Sequence, residues 1–509
     1  MPDLVARFQD LISGLACSQS QESDVLLRQL NPADAKRLRL CAIPHTFDAA
    51  VLQVLDPDLG GPAAATAMRD FEHLAAVVQL PGCLALHDVV RRQLFTQWLL
   101  PEHREEFSAA SRRLSTHFQP QASDTSMARS TKERSSVFHL VGADMEEGFR
   151  RFQQLYREHR EQFRPGECEI LVRLVHEYDV VLNETLQMWL SYYDAELAAD
   201  TRDWRRAADL LTSLLTRGVE SRLYALAQLT LGYVLRQMRD FDSAEAACRS
   251  ALKLATELNS EDVPIHSIEY QLGLIARDRG RVDAARTWLE KAIRSATAAD
   301  KRMGVIAAGN SLGTLLFRIA PQEAIDLFER CLDQLSPERD GLLFARVVNN
   351  LATVYADIGE WEKSQFRYQQ SLDIKRAAAD SHDQASTLFN IARVYQAQKK
   401  LDEADRALRE AASLFEMTQD LTNAARAYRE LARLWFAAEA PDDGDLFLSK
   451  ALNLYELADA KDEGRATRRE FKTWLTGAGP GPGASWVVLL VGIIVVLMMM
   501  LVMAAFELK

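Results

Sequence analysis

A chain of 509 residues, 48% hydrophobic and 26% charged, is long enough for two or three folded domains. Its net charge of −12 and pI near 5.5 argue against a general nucleic-acid binder. Six widely separated cysteines with no Cys-x-x-Cys pair argue against a disulfide framework or a zinc site, and the excess of arginine over lysine reads as a G+C-rich bacterial bias.

The opening Met1-Pro2-Asp3-Leu4-Val5 has no basic segment leading into an apolar run, so no secretory signal is expected. Residues 1–118 are broken by Asn31-Pro32, Ile43-Pro44, Asp56-Pro57, Gly60-Gly61-Pro62 and Leu80-Pro81-Gly82. That spacing predicts a compact helical domain with a small hairpin around Pro81-Gly82. Within it, Leu38 to Asp48 and Leu84 to Phe95, with the pair His87-Asp88 opening a helix that carries Arg91, stand out. The two stretches together resemble the winged-helix module that follows the ATPase in STAND-type, apoptotic-ATPase-like signalling proteins.

That resemblance does not carry nucleotide hydrolysis with it. No Gly-x-x-x-x-Gly-Lys-Ser/Thr and no Gly-Lys dipeptide occurs, and a phosphate cradle needs backbone N–H groups plus a lysine. Asp88 reads as an acid favoured at a helix N-terminus, and His87 as an ordinary surface or core residue. Arg91 and Arg92 alone make no basic stripe, so DNA binding is not expected.

Residues 119–136 are almost devoid of apolar side chains and are predicted to be a flexible linker. Helices resume at Val137, and the run Val137-Phe138-His139-Leu140 with Asp144, Gly148, Phe149 and Phe152 resembles the helical bridge between winged helix and repeats in the same signalling proteins. This bridge is expected to occupy 137–200.

From 201 to 460 a small residue returns at a near-constant interval: Ala207, Ala244, Ala285, Ala324, Ser364, Ala404 and Gly444 lie 37, 41, 39, 40, 40 and 40 residues apart. About seven helical repeats follow from that regularity. A large-then-small pair recurs in the first helix of six units as Leu231-Gly232, Leu272-Gly273, Leu312-Gly313, Leu351-Ala352, Ile391-Ala392 and Leu431-Ala432. Ala251, Ala292, Cys331, Ser371, Ala411 and Ala451 supply its small partner in the second helix. Helices can approach closely only where side chains are short, which offsets the cost of about 1 kcal/mol for a glycine inside a helix.

The Leu-Gly pair, the aromatic or alanine four places later (Tyr355, Tyr395, Trp435, Ala276) and the anchor alanine resemble tetratricopeptide repeats. Their long period is similar to that of kinesin light chains and of the superhelical sensor domains of signalling NTPases. Such a resemblance implies an all-α fold with a right-handed superhelix whose inner face is lined by the first helices. Inward positions then hold Gln271, Asn310, Arg346, Asn349, Asn350, Asn390, Arg393, Arg429 and Arg433, with Arg236 and Arg277 beside them. Asparagine can bond both groups of an extended backbone and arginine can grip carboxylates, so a protein or peptide ligand, acidic or C-terminal, is the expected partner. The same residues also read as a solvated helix face.

Residues 461–485 form a basic segment (Lys461, Arg465, Arg468, Arg469, Lys472) followed by a Gly/Pro tether. From Trp486 through Gly492 to Phe506, 21 residues carry no charged side chain, enough for a helix of about 31 Å and hence a membrane crossing. A C-terminal tail anchor is expected, with the bulk of the chain cytoplasmic at a bacterial inner membrane. No cofactor, metal or catalytic group is assembled by the sequence. Its function therefore reads as a non-enzymatic, membrane-tethered adaptor, with a cell-suicide or immune sensor-effector as the alternative and self-association as a further option.

Overall fold

The computed structural model describes Leu27 and residues 30–162, 164–258 and 263–472. Among the described residues are 23 α-helices and one two-stranded antiparallel hairpin. They divide into two compact units at Gln271/Leu272.

The first unit opens with α1 (Pro32–Leu40), α2 (Ala49–Leu55) and α3 (Gly61–Glu72). Asn31 starts α1 by accepting the Asp34 N–H at 2.9 Å ahead of a proline at the first helical position, and Asp48 starts α2 by accepting the Val51 N–H at 2.8 Å. Then come β1 (Val77–Leu80) and β2 (Cys83–Leu86), joined through Pro81 and a Gly82 at φ 80°. Proline followed by a positive-φ glycine is the chemistry of a type II turn. Phe47 bonds back to Leu84 through both backbone groups at 2.8 Å, so the hairpin is fixed to the helices over a core of Leu38, Phe47, Leu52, Phe71 and Leu84. His87 and Asp88 fall where β2 gives way to α4 (Asp88–Trp98), with Asp88 in its first turn. α5 (Arg104–His117) follows.

The stretch expected as a linker is corrected over most of its length. α6 runs Ser126–Ala143, started by Thr125, whose hydroxyl accepts the Ala128 N–H at 3.3 Å. Ser115 and Ser136 exchange hydroxyl-to-carbonyl bonds at 3.0 Å across the α5–α6 contact, and Lys132 pairs with Asp124 at 2.7 Å. Low apolar content misleads here because small serines let two helices meet while bonding each other's backbone.

α7 (Met145–Glu161), α8 (Pro165–His176), α9 (Glu184–Asp200), α10 (Trp204–Thr216), α11 (Ser221–Gln237) and α12 (Phe241–Leu258) complete the unit, and α13 (Ile265–Asp278) spans its end. α9 and α10 pack as a helical hairpin just ahead of the later pairs. Each anchor residue, from Ala207 to Gly444, lies in the second helix of a pair. Gly232 shows why the pairs are tight: a Cβ there would stand 2.3 Å from the Cys248 sulfur.

The second unit contains α14 (Val282–Ala298), α15 (Arg302–Leu316), α16 (Pro321–Leu332), α17 (Gly341–Asp357), α18 (Trp361–Ala377), α19 (Ser381–Ala397), α20 (Leu401–Met417), α21 (Leu421–Ala437), α22 (Pro441–Leu457) and α23 (Lys461–Glu470). From α17 to α22 every helix has 17 residues and every turn three, so two helices with their two turns fill the 40-residue period. The long period thus goes into helix length, not into loops. The middle residue of each turn has positive φ: Gly359, Ala379, Lys399, Gln419, Glu439 and Asp459. The N–H one place later reaches back to the preceding helix, as from Asp380 to the Lys375 carbonyl at 3.1 Å and from Lys400 to Tyr395 at 2.9 Å. These are Schellman closures, which satisfy carbonyls that a helix end would otherwise leave open.

Serine replaces alanine at two buried contacts of this unit without leaving a polar group stranded. Ser364 donates to the Ala352 carbonyl at 2.8 Å and Ser371 to Ala345 at 2.7 Å. The expected membrane helix and its residues Trp486, Gly492 and Phe506 lie outside the described residues. Among those described, no helix is long and apolar enough to cross a membrane.

Candidate functional site

The strongest grouping of chemistry in the second unit lies between α19 and α21, the first helices of successive hairpins. Their facing side chains bound a hollow of about 590 Å³. Arg393, Arg426, Arg429 and Arg433 line it with Asn390, Asn423, Ser386 and Gln396, and Phe389 and Phe415 supply its apolar part. Glu430 is its one carboxylate. Spacings of three and four residues on α21 explain why three of the arginines face the same way.

Glu430 is only 7% exposed and accepts from Arg433 at 2.6 Å and from Arg429 at 3.4 Å. Arg433 also pairs with Glu470 of α23, through Nε at 3.0 Å. Burial by itself would lower the Arg433 pKa, yet the carboxylates of Glu470 and Glu430 raise it. Arg429 keeps its Nε buried without a partner. Four guanidinium groups against Glu430, with Glu470 of α23 reaching Arg433 from outside the lining, leave this concave surface with a positive excess.

Of the residues expected from sequence, Asn390, Arg393, Arg429 and Arg433 are brought together in the hollow. Asn310, Asn349 and Asn350 form a second group on α15 and α17. Asn350 Nδ2 donates to Asn310 Oδ1 at 2.8 Å, and Asn349 Oδ1 accepts from the Thr387 hydroxyl at 3.1 Å. Part of each amide is thus used in tying neighbouring hairpins together, which the sequence reading did not foresee. Arg346 is exposed one turn before this pair on α17. Gln271 closes the first unit, with its Oε1 buried and unpartnered.

Arg426, Asn423 and Glu430 were missed. The signal for Glu430 was present, since residues 350, 390 and 430 are one position of the 40-residue period, occupied by Asn, Asn and Glu. Lys375 was missed as well. It lies on α18 with 3% exposure, and its ammonium donates to Thr387 Oγ1 at 2.7 Å and to the Asp383 carbonyl at 3.3 Å. No carboxylate pairs with it among the described residues, and burial lowers its pKa. The described cysteines are all free, and burial pushes Cys248 up to about 12 and Cys168 and Cys331 up to about 11. They pack as small apolar groups rather than as nucleophiles.

Stacked two-helix units with small residues at each crossing define a helical-repeat protein. Residues 225–257, 264–336 and 343–417 match tetratricopeptide-repeat models. No curated protein matches the sequence. The chain is similar in fold to a Signal Transduction ATPase with Numerous Domains (STAND) protein with a tetratricopeptide repeat sensor from Pyrococcus horikoshii, at 14% identity and a TM-score of 0.58. The match covers 87% of this chain and 66% of the other, so the chain spans a little under two thirds of that protein. It is also similar to the apo form of the quorum sensor NprR from B. thuringiensis, at 16% identity and a TM-score of 0.53, over 68% of this chain and 99% of that one.

Proposed function

We propose that this protein is a non-enzymatic adaptor whose second unit docks an acidic, extended polypeptide segment along the first helices of its repeats. The observation that carries the reading is the hollow between α19 and α21, where four arginines meet one buried carboxylate. Guanidinium groups bind carboxylates with two parallel bonds, and Asn390 and Asn423 can bond the main chain beside them. Phe389 and Phe415 give an apolar side chain of the ligand a place to rest. The likeness to a quorum sensor and to a protein with a repeat sensor supports a recognition role for such a fold.

Selection of peptides displayed with free C-termini against the full chain tests this. Enrichment of Asp, Glu or terminal carboxylates is expected, and it should vanish with Arg393→Glu and Arg429→Glu combined. Enrichment of apolar or basic sequences, or enrichment that the double variant retains, would overturn the reading.

Attachment to a membrane through residues 486–506 is the second part of the proposal, supported by the length and composition of that run. Full-length protein should sediment with membranes through a high-salt wash and require detergent for release, whereas protein lacking residues 486–509 should not. Recovery of the intact chain in the salt wash would remove the anchor and leave the docking reading untouched.

A further inference from the structure

Lys375 gives the docking face a control that the arginine hollow does not explain. A buried lysine without a carboxylate partner is costly to keep, so what its ammonium bonds is informative. The Thr387 hydroxyl has one proton and two lone pairs. One lone pair is taken by Lys375 at 2.7 Å. Two acceptors then lie within reach of the proton: the Asp383 carbonyl at 3.0 Å and Asn349 Oδ1 at 3.1 Å. The Asp383 carbonyl already receives the α-helical N–H of Thr387 and a bond from Lys375 at 3.3 Å. Both of its lone pairs are in use, which directs the hydroxyl proton to Asn349. The negative end of the Asn349 amide accordingly faces the cation. Its Nδ2 has no protein acceptor among the described residues, and Asn349 is partly exposed beside the Asn350–Asn310 pair.

We propose that Lys375 is a positioning residue which, through the Thr387 hydroxyl, holds the Asn349 amide with its NH2 group free to donate to a carbonyl or carboxylate oxygen of the docked segment. Only the last clause rests on the docking reading; the orientation of the amide stands independently. Without the ammonium, the Thr387 proton returns to the Asp383 carbonyl, the common bond of a helical threonine to the residue four earlier. The freed lone pairs of Thr387 then accept from Asn349 Nδ2, the amide turns over, and an oxygen faces the ligand in place of a donor.

The test uses the full chain carrying Lys375→Met, with Thr387→Val as the second variant should the first fail to fold. The Asn349 side-chain NH2 resonances, assigned by their loss in Asn349→Asp, should shift and exchange more slowly with water in Lys375→Met, while Lys375→Arg restores the original pattern. Resonances unchanged in a folded Lys375→Met would overturn the proposal, as would a failure of Lys375→Arg to restore them. The second readout is affinity for an acidic peptide taken from the display selection. Lys375→Met and Asn349→Ala should each weaken it by about fivefold to tenfold, the range of one hydrogen bond, and the double variant should be no weaker than Asn349→Ala alone. Additive losses would show that Lys375 does not act through Asn349. If no acidic peptide binds the wild type, the docking reading fails, and the resonances still decide the orientation of the amide.

Discussion

At Gly232 the repeat contact leaves no room for even one carbon, since a Cβ would meet the Cys248 sulfur at 2.3 Å and the Ala244 carbonyl oxygen at 3.2 Å. Gly232→Ala gains helix propensity yet should cost about 1–3 kcal/mol through overpacking. Adding Cys248→Ala should recover most of the loss, because the clash is with the thiol; chemical denaturation of the two variants checks it. His176 gives a test with a pH sign. Its hydrogen bond to Asp194 at 2.9 Å, with Asp179 on the other nitrogen, raises its pKa to about 9 despite burial. A raised pKa contributes stability that is complete below the unfolded value of about 6.5 and is lost as pH rises through the folded one. The first unit should therefore melt at lower temperature as pH goes from 6.5 to 9 by the span of that one group. His176→Gln should flatten this part of the profile, and an unchanged slope would remove His176 as its cause. Residues of this kind were legible only in part. The asparagines stood out because asparagine is a mediocre helix former, but the Asn310–Asn350 bond and the bond of Asn349 to Thr387 depend on which side chains 40 and 38 places apart come face to face.

Among the elements, the second unit hides a 20-residue rhythm inside its 40-residue period. Residues 359, 379, 399, 419, 439 and 459 all have positive φ at the middle of a three-residue turn, yet only the first is glycine. Sequence reading finds such turns through glycine, so alanine, lysine, glutamine, glutamate and aspartate at the other five concealed them. Every non-glycine residue held there carries steric strain of about 1 kcal/mol. Ala379→Gly should consequently stabilise by about 0.5–1 kcal/mol, and Gly359→Ala should destabilise by a similar amount, both read from thermal or denaturant melts. Equal and opposite effects would tie the regular turns to backbone conformation; destabilisation by Ala379→Gly would contradict it. The same limit explains α6. Its serines looked like linker until Ser136 was found bonded to Ser115, a contact between elements that no local composition can show.

For the molecule as a whole, the repeats were legible because their signal is steric and periodic: a small residue must return wherever two helices cross. The proposed docking surface was legible only as positions. Four of the nine expected binding residues meet in one hollow; of the others, Asn310 and Asn350 bond each other across α15 and α17, and Asn349 bonds Thr387 of α19. Charge excess in that hollow makes the central claim a statement about place as well as chemistry. The direct measurement puts a photo-crosslinking side chain at Gln396, which lines the hollow, or at Leu446, which is 53% exposed on a second helix, and exposes each full-length protein to an acidic peptide from the display selection. Crosslinking from position 396, abolished by Arg393→Glu with Arg429→Glu and absent from position 446, is the expected result. Crosslinking from 446 and not from 396, or a crosslink at 396 that survives charge reversal, would contradict the account.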